Sequence, residues 1–312
     1  MRNIFIVNPK AGQGTGLNEL KNEINSVGSR LGMDVEIYET KAVYDAERYI
    51  KEVLETETGD VRFYACGGDG TFNEALNGVI GHDNASLGVY PIGTGNDFVR
   101  NLPNPDGCKS IEALLKGKSV KCDAIKYSGF FDGKEDARYC GNMFNIGFDC
   151  NVVDLTATMK TKPLIAGSFA YLLSVVVMLG QMKGANLKIV ADGEELSNGE
   201  ILLTSVANGS FCGGGVMSNP YASLHDGTID ISVIQKMGRM KFITLFPKYQ
   251  KGTHLKLKNV DHLIQNRKVK HVEIEPLDGV MRLCTDGEIV DAKKVTFDIA
   301  PDKFNIIEPA VL

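Results

Sequence analysis

Four stretches of this 312-residue chain combine glycines and carboxylates in a way that could do chemistry. The densest is Gly67-Gly68-Asp69-Gly70-Thr71, at the centre of a stretch from Val61 to Gly81. Three glycines let the backbone approach a bulky anion with no Cβ in the way, and the open N–H groups of a following helix point at that anion with the helix dipole behind them. A phosphate suits such a place. Asp69 alone would repel it, but a carboxylate makes sense if a divalent cation or a hydroxyl nucleophile lies beside the phosphate. The same glycines could merely close a strand-to-helix connection; the acid and the Asn73-Glu74 pair after it favour nucleotide chemistry.

The second place is Gly93-Thr94-Gly95-Asn96-Asp97-Phe98. Asp97 could join Asp69 in organising water and magnesium around a triphosphate, or Asn96 and Asp97 could cap the helical turn through Phe98 and Val99. The third is Ser223-Leu224-His225-Asp226-Gly227-Thr228, where the Asp226 carboxylate and the carbonyls of Ser223 and Thr228 would make a partial magnesium shell. The fourth is Thr285-Asp286-Gly287-Glu288, where Glu288 could act as general base toward a hydroxyl. Taken singly, the last two are better explained as turns. His82, His225, His254, His262 and His271 have no metal-ligand spacing, and the chain has neither a G-x-S-x-G elbow nor a Walker-type phosphate loop.

The elements that must position these residues follow an alternating grammar. Arg2–Val7 is a β-rich run before the loop Asn8 to Gly16, and Leu17, Leu20, Ile24, Val27 and Leu31 mark a helix face that Gly32 closes. Asp34 to Glu39 is a strand ending at Thr40, followed by a helix on Ala46, Tyr49, Ile50, Val53 and Leu54. Val61 to Ala65 is a buried strand, Gly67 to Thr71 a tight turn, and Phe72, Ala75, Leu76, Val79 and Ile80 a helix. Ser86 to Pro91 is a fourth strand, with Ile111, Leu114 and Leu115 on a short helix. Such alternation implies a parallel sheet covered on both faces, with ligands bound beyond the carboxyl ends of its strands. Asn8-Pro9, Thr40, Gly67 to Thr71 and Gly93 to Asp97 should therefore converge.

Past Lys121 the pattern changes. Val120 to Asp123 alternates, and strand-like runs follow at Tyr139–Phe148, Asn186–Val190, Glu200–Ala207, Thr228–Ile234, Val269–Glu275, Val280–Cys284 and Lys293–Ile299, separated by Asp-Gly turns. They read as a mainly antiparallel β domain, a sandwich. Pro163 to Met182 holds no charge over a length that could cross a bilayer; Gly167, Ser168, Ser174, Gly180 and Gln181 dilute it, and a buried or interfacial helix is expected.

Hydrophobic content of 43% and charged content of 23% are those of an ordinary soluble protein. The opening MRNIFIVNPK is too short in apolar residues for a signal peptide, so a cytoplasmic location is expected. Seven scattered cysteines without a C-x-x-C pair argue against a disulfide framework and a zinc site. A net charge of −5 gives no case for nucleic-acid binding. Yet Lys236 to Lys270 carries ten Lys/Arg against Asp261 alone, a local +9 that leaves −14 for the remainder.

Together these stretches resemble the diacylglycerol kinase catalytic-domain family, which includes sphingosine kinases, and particularly its small soluble bacterial members. The matching pieces are N-P-K-A-G-Q-G at 8–14, G-G-D-G-T-F-N-E at 67–74, P-I-G-T-G-N-D-F-V-R at 91–100, G-G-G-V at 213–216, D-G-T-I-D at 226–230 and D-G-E at 286–288. G-G-D-G-T is shared with NAD kinases; its combination with G-T-G-N-D-F and the late D-G-E is the specific part.

The resemblance implies an NAD kinase-like α/β nucleotide-binding domain with a parallel sheet, residues 1–121 and 300–312, and an antiparallel β-sandwich lipid-substrate domain, residues 122–299. Phe304 to Ile307 would be a strand returning to the first domain. It implies ATP held by Asn8, Pro9, Lys10, Ala11, Gly12, Thr40, Cys66, Gly67, Gly68, Asp69, Gly70, Thr71, Phe72, Asn73 and Thr94. Magnesium would be bound through Ser223, Asp226 and Thr228, joined by water to Asp69 and Asp97, and Glu288 would accept the proton of the lipid hydroxyl. Gly95 and Thr228 vary from common members but act through space or backbone. The implied activity is ATP- and magnesium-dependent phosphorylation of a lipid, foremost diacylglycerol. Another lipid alcohol, an NAD kinase and a silent lipid- or nucleotide-binding regulator are the alternatives. The uncharged stretch from Pro163 and the basic segment, with Phe242, Ile243, Leu245 and Phe246 among Lys241, Lys248 and Lys251, suit peripheral docking on anionic phospholipid headgroups. A basic solvated face would have the same composition. Small bacterial relatives suggest a homodimer.

Overall fold

The computed structural model describes residues 1–14, 16–93, 95–148, 150 and 182–312. Thr94 and nearly all of the uncharged stretch from Pro163, with the helix expected there, lie outside the described residues. The chain forms two compact units, Met1–Ala124 with Ala300–Leu312, and Ile125–Ile299.

The first unit alternates: β1 (Arg2–Val7), α1 (Leu17–Leu31), β2 (Val35–Glu39), α2 (Asp45–Thr56), β3 (Val61–Gly67), α3 (Asp69–Val79), β4 (Ala85–Pro91), then a short α4 (Ile111–Leu115) and β5 (Lys118–Cys122). β2, β1, β3 and β4 lie side by side in that order, all parallel. Ile4, Phe5, Ile6 and Val7 of β1 are wholly buried, as a parallel strand covered on both faces requires. α1 buries Leu20 and Ile24 and ends at Gly32, whose φ of 64° is the left-handed value that favours glycine at a helix end.

The stretch Gly67 to Thr71 is not a separate turn. The carbonyl of Gly67 accepts the N–H groups of Ile92 (2.9 Å) and Gly93 (3.2 Å), which prolongs the ladder to the end of β3. Gly68 is the N-cap, and Asp69 already belongs to α3.

The second unit contains β6 (Ile125–Phe131), β7 (Lys134–Cys140), β8 (Met143–Gly147), β9 (Ala185–Ala191), β10 (Glu194–Ala207), β11 (Phe211–Cys212), β12 (Val216–Met217), β13 (Ile229–Gln235), α5 (Arg239–Gln250), β14 (Ile264–Val269), β15 (His271–Pro276), β16 (Met281–Thr285) and β17 (Glu288–Ile299). Its main sheet is antiparallel, and because β9 pairs with both β15 and β10 the ladder closes on itself, giving the sandwich a barrel-like form. The 14-residue β10 permits this: register shifts between Glu195 and Ser197 and between Ile201 and Leu203 bend it, so one end pairs with β9 and the other with β8 and β13. Phe144, Ile146, Ile189, Ile231, Val272 and Phe297 fill the interior. The run Val269–Glu275 proves to be two strands, because the Asp192 carboxylate accepts the N–H groups of Lys270 (3.1 Å) and His271 (2.9 Å) at the break between β14 and β15.

α5 occupies part of the basic segment, and its apolar residues divide. Phe242 and Tyr249 are buried, and Leu245 and Phe246 pack partly buried against the same cluster, with the Phe242 ring 4.9 Å from Phe148 and 5.4 Å from Phe246. Of the residues read from the sequence as a docking surface, Phe242, Leu245 and Phe246 thus pack inward and Ile243 remains exposed, beside Met240. Among the described residues no helix is long and apolar enough to cross a membrane.

Finally β18 (Phe304–Glu308) enters the first sheet between β4, to which it is parallel, and β5, to which it is antiparallel. The N–H of Ala300 donates to the carbonyl of Ala124 at 2.8 Å, so Cys122, Asp123 and Ala124 group with the first unit.

Candidate active site

In the first unit the residues that follow β1, β2, β3 and β4 meet through the backbone. The N–H of Asn8 donates to Cys66 O (3.0 Å) and that of Thr40 to Val7 O (3.0 Å). The Asn8 side chain accepts the N–H of Lys10 (3.0 Å) and donates to the Thr71 hydroxyl (3.1 Å), tying the loop from Asn8 to Gly12 to the first turn of α3. Gly12 has φ +58° and a Cβ there would lie 2.7 Å from the Ile92 side chain, so the loop rests directly on the end of β4. A Cβ on Gly93 would lie 2.6 Å from the Cα of Gly68. The two glycine motifs thus touch backbone to backbone, which no other residue type permits. Beneath them Phe72 stacks on Phe98 at 3.9 Å, with Phe304 6.4 Å away. Cys66 and Phe72 are buried, so their side chains support the site from below.

α3 begins without a side-chain cap, and its first intrahelical bond is Phe72 N–H to Gly68 O. The N–H groups of Asp69, Gly70 and Thr71 precede that bond and lie at the positive end of the helix. An anion is the natural complement.

Beside this turn stand the two acids. Asp69 Oδ1 accepts the N–H of Asp97 at 2.9 Å and that of Phe98 at 3.4 Å. Burial, reinforced by the neighbouring charge of Asp97, pushes the Asp69 carboxyl up to about 6 despite these donors. Asp97 is 7% exposed and meets the Arg100 guanidinium at 3.5 Å. A Cβ on Gly95 would stand 2.9 Å from Asp69 Oδ2 and 3.8 Å from Asp97 Oδ2. Both carboxylates therefore face the space that a side chain at 95 would fill. Two converging anionic oxygens, one costly to keep charged, fit a divalent cation.

In the second unit Ser223, Asp226 and Thr228 form one turn, with Gly227 at φ +70°. Asp226 Oδ1 accepts the N–H (3.1 Å) and hydroxyl (2.6 Å) of Thr228. Its Oδ2 accepts from the Lys268 ammonium at 2.7 Å, which also donates to Tyr221 O and Asp230 Oδ2, both at 2.8 Å. Lys268 arrives from β14, where it is the cross-strand partner of Asp230. Burial works to raise the Asp226 carboxyl, but Lys268 and Thr228 prevail and hold it below the usual range. A divalent ion sharing that oxygen would stand close to the ammonium; at about 4 Å and an effective dielectric near 20, unit charges repel by about 4 kcal/mol, and a double charge doubles this. As arranged, the turn does not fit a divalent ion.

Glu288 opens β17 as the cross-strand partner of Thr285, across a tight hairpin with Asp286 at φ 47° and Gly287 at φ 93°. The Asp286 carboxylate accepts the Met143 N–H (3.2 Å) and lies 3.3 Å from Cys140 Sγ, pinning the hairpin to β8. Glu288 itself is exposed.

Two family models match the chain: the diacylglycerol kinase catalytic domain over residues 2–127, and the YegS C-terminal NAD kinase beta sandwich-like domain over residues 142–308. A diacylglycerol kinase of Bacillus subtilis (strain 168) is 30% identical over 288 residues, which span 91% of this chain and 88% of that protein. This chain belongs to the diacylglycerol kinase family. The crystal structure of a diacylglycerol kinase from Bacillus anthracis str. Sterne shares the fold, with TM-score 0.69 and 24% identity over 98% of this chain and 96% of that one. Yeast NADH kinase, complexed with NADH, shares the fold more distantly, with TM-score 0.50 and 11% identity over 100% of this chain and 84% of that one.

As a member of the diacylglycerol kinase family the chain is an enzyme, a lipid kinase. Asp69 and Asp97 lie in the segment matched by the catalytic-domain model, and Asp226 and Glu288 in the other. The structure brings together Asn8, Thr71, Gly68, Asp69, Gly95 and Asp97, while Thr94 lies outside the described residues. Lys268 is the contact that sequence reasoning missed. It reads as one charge in a basic run, and the available signal was a pair of acids four apart, Asp226 and Asp230, opposite a basic residue on a neighbouring strand.

Proposed function

We propose that this lipid kinase transfers the γ-phosphoryl group of ATP, with magnesium, to the primary hydroxyl of diacylglycerol, giving phosphatidic acid. The observation that carries this reading is the convergence of Asp69 and Asp97 on Gly95 beside the open first turn of α3. The phosphates lie along Gly67 to Thr71, with the loop from Asn8 to Gly12, Thr40 and Asn73 completing the nucleotide site. Asp69 and Asp97 would hold the magnesium, which would offset phosphate charge that the backbone donors cannot offset alone. Glu288 accepts the hydroxyl proton, the lipid oxygen bonds to the γ-phosphorus in line, and the bond to the β,γ-bridging oxygen breaks to release ADP. Docking on an anionic membrane surface uses the exposed side of α5, with Arg239, Lys241, Lys248 and Lys251 around Met240 and Ile243.

The test is transfer of labelled γ-phosphate to diacylglycerol in mixed micelles, with NAD offered in parallel. Label in phosphatidic acid that disappears in Glu288→Ala supports the reading. Label in NADP, or in neither product, overturns it.

A further inference from the structure

The strongest unassigned feature is the position of the Lys268 side chain. Its ammonium donates to three oxygens at 2.7–2.8 Å: a carboxylate of the turn (Asp226), a carboxylate from the next strand (Asp230) and a main-chain carbonyl (Tyr221). One charged and several neutral or charged oxygens around one centre is the donor set of a bound cation, and here a covalently tethered cation already fills it. The geometry is enforced from both sides. Asp230 is 1% exposed on β13, directly opposite Lys268 on β14, so the buried carboxylate has a fixed demand for positive charge. Thr228 meanwhile satisfies the other Asp226 oxygen twice.

We propose that the Lys268 ammonium is the resident cation of the Ser223–Thr228 turn, so that in this chain the turn takes no divalent metal and its conformation is independent of magnesium. The divalent ion of the proposed phosphoryl transfer is then confined to the Asp69–Asp97 pair, and the Ser223–Thr228 turn plays no part in holding it. A lysine cannot be chelated away or diluted out, so EDTA should leave this turn intact.

Counting bound Mn2+ by electron paramagnetic resonance on the full chain without nucleotide tests this independently of catalysis. Wild type and Asp226→Asn should bind the same number of ions. Lys268→Met, which keeps the length and removes the charge, should gain about one ion per chain, and the gain should vanish in Lys268→Met with Asp226→Asn. Lys268→Gln serves the same purpose if the methionine variant does not fold. Loss of a bound ion in Asp226→Asn alone overturns the proposal, as does the absence of any gain in the folded Lys268 variant. A protein without lipid kinase activity would still give one of these outcomes, so the two readings fail separately.

Discussion

The carboxylate of Asp69 accepts the main-chain N–H of Asp97 at 2.9 Å, so the acid at the start of α3 holds the loop after β4 in place by the same side chain it presents to the site. Position and charge are coupled: a change that moves Asp69 removes a support of the loop that carries Asp97.

Gly95→Ala tests the space between them. The added methyl would stand 2.9 Å from Asp69 Oδ2 and fill the space proposed for the cation, with no other neighbour within 4 Å except Asp97 Oδ2. A fall in kcat of about ten- to a hundredfold is expected, equivalent to about 1.4–2.8 kcal/mol of barrier, with little change in melting temperature. Steady-state kinetics at saturating ATP, together with a melt, decide it; an unaltered kcat would remove the cation from this position.

Asp69→Asn should abolish activity and yet stabilise the metal-free protein. A carboxyl raised to about 6 takes up its proton in the folded state before it does in the unfolded chain, so the cost of holding it charged is fully present at pH 7 and is relieved as pH falls through 6 toward 4. The stabilisation is about 2–3 kcal/mol at pH 7, shrinking toward zero near pH 4. Urea denaturation of both forms in EDTA at several pH values measures the gap. Magnesium should narrow it at pH 7 by stabilising the charged wild type.

His254 gives the opposite slope. Burial beside Tyr249, with ring centroids 5.0 Å apart, lowers its pKa to about 4, so the unfolded chain protonates first as pH falls. Stability from the neutral ring is fully present above about pH 6.5 and is lost toward pH 4, to a maximum of about 3 kcal/mol. His254→Leu should flatten this acid limb, whatever its effect on stability at pH 8. An unchanged slope would mean that the ring titrates alike in the folded and unfolded chain.

Reversing Lys241, Lys248 and Lys251 to glutamate should release the protein from anionic liposomes in sedimentation and raise its apparent KM for lipid presented in them, leaving kcat for a dispersed short-chain substrate unchanged. Substituting Phe242 should instead lower the melting temperature, because that ring is in the core. Unchanged sedimentation of the charge-reversed form would sink the docking surface.

The first unit was legible because its elements have long, unbroken periodicities: the buried run of β1, the face of α1 and its Gly32 cap all lie where residue spacing puts them. The second unit was legible in kind more than in detail. Its strands end where side chains intervene, as Asp192 does between β14 and β15, and such contacts between residues 78 and 79 positions apart leave no trace in local pattern. β6 was passed over for a related reason: Ser128 and Gly129 interrupt its alternation, and it is held as a strand by pairing with β7 and β17. In the site, the glycines and acids announced themselves by type, but the role of Gly95 depends on where two distant carboxylates point. Asp123, just past β5, is buried and bound to Lys303 at 2.5 Å, whereas one acid in an alternating run reads as a solvent-facing residue.

The placement of β18 bears on how the protein is made. Residues 304–308 lie between β4 and β5, and Phe304 packs toward the Phe72–Phe98 pair under the glycine loops. A ribosome delivers that strand only after the whole barrel-like unit has emerged. Until then β4 and β5 lack the strand that joins them, so the nascent chain carries an exposed apolar edge through most of its synthesis. The first unit, although its strands β1 to β5 precede the second unit, is completed only after it.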